Sequence, residues 1–199
     1  MAKQRRPKTA AELLAELARD KDYIQKRSER EAQRAVLEAE LAQDEAPLLA
    51  DLGRAGVAVS SVWDLVNTET AYPAAIPVLL EHLQRQHHLR TREGIVRALT
   101  APESRGIGFA VIYREFLAAS AKETPELKWL LGAALAEATD EPHVGQVIDL
   151  LRSREHGKGR EFLLTVLRYL DERKRVPILD SLASDPDLGN AIKALKLGR

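Results

Sequence analysis

The chain has 199 residues, 45% hydrophobic and 30% charged, with Lys plus Arg and Asp plus Glu at 30 each and no cysteine. That length and apolar content suffice for one continuous core, while a net charge of zero leaves no global field to draw the protein to nucleic acid or membrane. The missing cysteines exclude disulfides, a thiolate zinc site and a cysteine nucleophile, and fit a reducing compartment, so a cytoplasmic location is expected.

Residues 1–8 carry Lys3, Arg5, Arg6 and Lys8 without an apolar segment behind them, which reads as a disordered basic tail and not as a leader. Thr9, with Glu12 three positions on, has the arrangement of a capping box, so a helix is predicted from about Ala10. Leu13, Leu14 and Leu17 form one apolar edge, and the pattern resumes with Tyr23, Ile24, Ala32, Ala35, Val36, Ala39 and Leu41. The charged stretch 25–31 leaves two readings open, a short helix followed by a long one, or one long helix with a solvated charged segment. Pro47 is placed in the first turn of a further short helix containing Leu48, Leu49 and Leu52, ended by Gly53 or Gly56. Ser60 and Ser61 are expected to cap a short helix over 62–67, and residues 9–71 together make a helical cap region.

From residue 72 the pattern repeats. Leu83, Leu117, Leu151 and Leu182 are spaced by 34, 34 and 31 residues, and Leu99, Leu135, Leu167 and Leu195 by 36, 32 and 28. Two interleaved series of one period predict stacked helix pairs. The pairs are 74–84 with 91–99, 105–118 with 125–138, 142–152 with 159–170, and 173–183 with 188–197. They are separated by stop signals such as Ala101-Pro102-Glu103, Gly157-Lys158-Gly159 and Ser184-Asp185-Pro186-Asp187. No stretch alternates with period two, so no sheet is predicted, and the fold class is all-α.

The segment Ile76-Pro77-Val78-Leu79-Leu80-Glu81-His82-Leu83, followed by Arg92-Glu93-Gly94-Ile95-Val96-Arg97-Ala98-Leu99, resembles a HEAT repeat, and Val176-Pro177-Ile178-Leu179 repeats its first half. The resemblance covers roughly residues 72 to 197. It implies a right-handed α-α superhelix of about four helix pairs that works by presenting a surface. Residues 61–68 with Tyr72-Pro73 are similar to a bacterial group of uncharacterised HEAT-repeat proteins, which brings no activity with it. The second and third first-helices lack the proline, and the last repeat is short. Aromatic residues at 5% do not supply the landmarks of tetratricopeptide repeats.

Five histidines, 82, 87, 88, 143 and 156, offer poor metal spacing, with only Glu81 and Glu93 near His87 and His88, so a solvated polar turn is expected and no metal or other cofactor. Glu81, Asp149 and Asp180 recur at matching positions and are read as the exposed side of amphipathic helices. Trp63 is expected to plug the joint before the array and Trp129 to lie in the core. Basic residues give the strongest hint of binding. Arg92, Arg97, Lys128, Glu137, Arg160 and Arg168 are placed on a concave face made by the second helices. Arg85, Arg90, Arg152, Arg154, Lys158, Arg173, Lys174 and Arg175 are placed along an edge of inter-helix turns. The favoured function is a non-enzymatic module that contacts a protein partner. The alternative is a nucleic-acid binder using the basic edge, with activity like that of HEAT-like DNA glycosylases ranked below it because no carboxylate-aromatic cluster aligns. The charged N-terminal helix is expected to cap the open end of the array in preference to dimerising as a coiled coil.

Overall fold

A computed structural model describes residues 9, 10, 18 and 20–197. The basic tail and Glu12, the second member of the Thr9 capping box, lie outside those residues. All regular structure among them is helical. The α-helices are α1 (Lys21–Arg54), α2 (Val62–Val66), α3 (Ala75–Leu83), α4 (Leu89–Ala98), α5 (Phe109–Ala118), α6 (Pro125–Ala138), α7 (Val144–Arg152), α8 (Glu172–Leu182) and α9 (Gly189–Leu197). Among the described residues there are also four 3-10 segments, Pro102–Ser104, Glu141–His143, Arg154–Arg160 and Phe162–Tyr169. Among the described residues no helix is long and apolar enough to cross a membrane. The chain divides into two units, Met1–Gln43 and Asp44–Arg199.

In the first unit, helix α1 starts where the Asp20 carboxylate accepts the backbone N–H groups of Asp22 and Tyr23. Its residues 21–40 are all exposed. Local pairs four residues apart support it, Gln25 with Glu29, Arg27 with Glu31 and Arg34 with Glu38. The charged stretch therefore belongs to one long helix.

In the second unit, Pro47 corrects the sequence reading, because it sits inside α1 and starts no new helix. Its missing N–H faces solvent on an exposed side, while Leu48 and Leu52 turn inward and are fully buried. The helix ends in a Schellman motif, in which Gly56, at φ +82°, donates to Gly53 O and Val57 donates to Leu52 O. Ser61 caps α2 as expected, in a capping box completed by Asp64. The Glu45 carboxylate also accepts from Ser61 Oγ and Val62 N, a negative charge at a helix N-terminus. Residues 44–71 contribute Leu48, Leu52, Val62 and Leu65 to the same core as the helices that follow.

That core runs from Leu48 to Ile192 through every later helix pair. Helix α3 contacts α4, α5 contacts α6, α7 contacts Phe162–Tyr169, and α8 contacts α9. Between pairs, α4 meets α6 and α6 meets Phe162–Tyr169. Helix α6 is enclosed on most sides, with Leu127, Leu130, Leu131, Ala134, Leu135 and Ala138 all buried. Residues 159–170 do not form the predicted α-helix; two 3-10 segments stand there, joined at Glu161. The backbone reverses at Gly157, at φ +53°, and then presses against α6. A Cβ on Gly132 would lie 2.0 Å from Gly159 O, and one on Gly159 2.7 Å from Lys128 Cγ. Trp63 and Trp129 are each only half-buried, so Trp129 corrects its expected core position.

Gly132→Ala puts a methyl group where only a backbone oxygen fits, and neither partner is a flexible side-chain end. We expect it to cost about 3 kcal/mol, seen as a loss of roughly 6 to 12 °C in melting temperature by circular dichroism.

Candidate functional site

Helices α4 and α6 and the segment Arg154–Arg160 enclose a groove of about 400 Å³. Glu93 and Arg97 come from α4, Pro125, Glu126, Trp129 and Leu130 from α6, and Lys158 from the 3-10 segment. Trp129 is held in place, its Nε1 donating to Glu161 Oε2 at 2.9 Å and its ring meeting Phe162 edge-on at 4.6 Å. Arg97 is exposed, with its guanidinium carbon 6.0 Å from the centre of the Trp63 ring. Gly94, one turn earlier, allows that approach, since a Cβ there would lie 2.5 Å from Val62 Cγ1 and 3.2 Å from the Trp63 ring. Among the described residues neither Arg97 nor Lys158 has a carboxylate within ion-pair distance. The groove thus combines an amphipathic aromatic floor with two solvated cations and two carboxylates, which suits contact with an extended polypeptide.

Two of the expected concave-face residues are not on any face. Lys128 is buried at 1% exposure, its Nζ donating to Phe116 O at the end of α5 and lying 3.9 Å from the centre of the Phe116 ring. Burial lowers its ammonium to about 8, with the Glu155 charge opposing. Burial and the Lys128 charge likewise lower the neighbouring His156. Arg160 is buried at 0% exposure, donating to Leu151 O at the end of α7, to Gly157 O, and through both terminal nitrogens to Asp185 at 3.1 and 3.0 Å. Burial works against ionisation of Asp185, but the hydrogen bonds from Arg160 and from the Asp187 and Leu188 N–H groups outweigh it and hold the carboxyl below its usual range. These two cations clamp helix ends.

The other predicted residues are mostly paired within the chain. Arg92 donates to Glu115 at 2.5 Å, and Arg105 occupies Glu137 at 2.6 Å. Arg168 stays exposed above the adjacent Tyr169 ring. On the basic edge, Arg85 bonds Glu81 and reaches Asp51. Arg152 lies 3.5 Å from Asp149, Arg154 3.6 Å from Asp185, and Lys174 3.9 Å from Asp171. Arg90 and Arg173 are exposed, while Arg175 is half-buried with its Nε lacking a partner. Glu81, Asp149 and Asp180 are all exposed, as amphipathic patterning expects.

The histidines overturn the solvated-turn reading. His82 is fully buried and the His87 side chain is 5% exposed. Their rings are joined through His82 Nδ1 and His87 Nε2 at 3.0 Å, and α1 supplies a carboxylate at each end. Asp51 Oδ2 lies 2.9 Å from His82 Nε2, and Asp44 Oδ2 lies 3.4 Å from His87 Nδ1. The hydrogen bond from His82, with Arg54 and Arg85 nearby, holds the Asp51 carboxyl below its usual range against desolvation. Burial would raise Asp44, but Thr91, the His88 N–H and His87 together bring it down. The four groups form a line, and among the described residues no three His, Asp or Glu side chains converge as metal ligands.

Two tests follow from the clamps. Asp185→Ala leaves the Arg160 guanidinium buried without a counter-charge, and we expect a loss of about 3 to 5 kcal/mol in urea unfolding. The Lys128 ammonium gives up its proton near 8 in the folded protein and near 10.5 in the open chain. Between those values the unfolded state binds more protons, so stability rises with pH. Wild type is therefore expected to gain about 2 kcal/mol over Lys128→Met between roughly pH 7 and pH 9.5, measured by urea unfolding of both at each pH. No family model, curated protein or solved structure matches the chain, so these roles rest on its own geometry.

Proposed function

We propose that the protein is an interaction module of the HEAT type, four helix pairs stacked as an α-α superhelix, which grips a polypeptide segment of a partner protein in the groove between α4 and α6. The observation that carries the reading is the pairing of Trp129 with the unpaired cations Arg97 and Lys158 across one groove. A rigid aromatic beside solvated charges offers contact area at low entropic cost, with polar groups to fix register. The helix order supports it as well, since the second elements of successive pairs, α4, α6 and Phe162–Tyr169, touch one another in sequence. The basic edge gives nucleic-acid binding less support, because Arg85, Arg152, Arg154 and Lys174 each have a carboxylate beside them.

The full chain, tagged and used as bait in lysate of the source organism at low and high salt, with and without nuclease, is compared with the Arg97→Glu/Lys158→Glu variant. A stoichiometric protein retained by wild type under all conditions, and recovered roughly tenfold less with the variant, is expected. Equal recovery by both baits removes the groove from the interface. Recovery of nucleic acid alone, lost at high salt, replaces the reading with the basic edge.

A further inference from the structure

The buried line of Asp51, His82, His87 and Asp44 constrains where hydrogens can sit. Each of its three contacts needs one hydrogen between two heavy atoms. An ionised carboxylate only accepts, so His82 Nε2 must carry a hydrogen toward Asp51 at 2.9 Å, and His87 Nδ1 one toward Asp44 at 3.4 Å. The central contact at 3.0 Å joins two ring nitrogens and holds one hydrogen, because two bare nitrogens repel and two N–H groups collide. That makes three hydrogens on four ring nitrogens, one more than a neutral pair carries. Arg85 Nη1, which can only donate, lies 3.1 Å from His82 Nε2 and 3.5 Å from Asp51 Oδ2; the count gives its hydrogen to the carboxylate, because a bare Nε2 would face Asp51 Oδ2 at 2.9 Å with no hydrogen between them.

We propose that His82 and His87 act as one proton-binding site, closed only when the pair holds a single positive charge, and that this makes the joint between residues 44–51 and the α3–α4 turn a pH-sensitive latch. The groups facing it from each packed element are consistent. Helix α1 presents Asp44 and Asp51, with Arg54 on Asp51. The end of α3 and its turn present Arg85, itself shared with Glu81. The start of α4 presents the Thr91 hydroxyl and the His88 N–H, both given to Asp44. Losing the shared proton sets a bare nitrogen against a carboxylate or another bare nitrogen. Gaining a fourth hydrogen puts two N–H groups nose to nose and parts the rings. The turn that opens is the one leading into α4, the helix carrying Glu93 and Arg97.

The sign on each side follows from proton linkage. Below the ordinary histidine range the unfolded chain holds a proton on both rings and the closed pair only one extra, so acid favours unfolding. Above it the unfolded chain holds neither and the closed pair still one, so alkali does too. Ring nitrogens of the full chain, labelled with 15N, are followed from about pH 9 to about pH 5. The expected spectrum near neutrality has three protonated nitrogens and one bare one across His82 and His87, with the fourth hydrogen arriving in a separate step. Two protonated nitrogens at neutrality, or both rings gaining their protons in a single step, overturns the proposal. His87→Gln supplies a second readout, because its amide donates to Asp44 and accepts from His82 without titrating. Below about pH 6 the wild-type melting temperature is expected to fall relative to the variant by roughly 4 °C per pH unit, the size one linked proton produces in a chain of this length. Parallel profiles count against the latch, and if the variant does not fold, the nitrogen count on the wild type decides alone.

Discussion

The interior of this protein is organised by two cations that reach back to the helix preceding them. Lys128 caps the last carbonyls of α5 and Arg160 those of α7, so in consecutive pairs the second element places a positive charge on the negative end of the first. Neither position is cheap to occupy, since an ammonium or guanidinium loses its hydration on entering the core. Arg160 recovers that cost with five donated bonds, two of them to Asp185. Lys128 has only a carbonyl and the Phe116 ring, and its lowered ammonium reflects the poorer bargain. Asp185 sits just before α9, so the Arg160 bond also joins the third pair to the fourth.

Much of the surrounding backbone follows from those bonds. For Arg160 to reach Leu151 O from nine residues away, the chain must double back at once, and Gly157 supplies the positive φ for it. The returning strand of chain then lies over Lys128 and against α6, a space that Gly132 and Gly159 leave open. A regular α-helix over 159–170 does not fit that constraint, and the segment tightens into 3-10 turns. The same path carries Lys158 outward to the rim of the groove, next to Trp129.

Local signals made most of this fold legible in the sequence, and its departures come from contacts distant along the chain. Pro125 at the start of α6, Ser61 before α2 and Gly56 after α1 act on neighbouring backbone, so helices near them fall where spacing puts them. Pro47 misleads because the lost bond and the crowded carbonyl four residues back are outweighed by the packing of buried Leu48 and Leu52, which carries the helix past it. Lys128 and Arg160 misleads in another way, for a charge at a helical position reads as solvated unless its partners are visible. The flanking Gly132 and Gly159 were the available hint that α6 is enclosed there. The histidine partners Asp51 and Asp44 stand 31 and 43 residues from theirs, beyond the reach of any spacing rule.

This pairing also bears on how the protein meets other molecules. With 30 charges of each sign, and Arg85, Arg92, Arg105, Arg152 and Lys174 all beside carboxylates, little field extends past the screening length of about 8 Å at physiological salt. Electrostatic steering from a distance is then weak, and the proposed binding would depend on contact at short range. In the groove proposed to bind a partner, Trp129 is oriented by Glu161 and Phe162, and Arg97 lies near Trp63. Preorganised side chains lose less entropy on binding than free ones. The helix that holds Arg97 is entered through the turn carrying His87, whose ring meets buried His82 at 3.0 Å, so the rim of the groove and that buried polar line share a short stretch of chain.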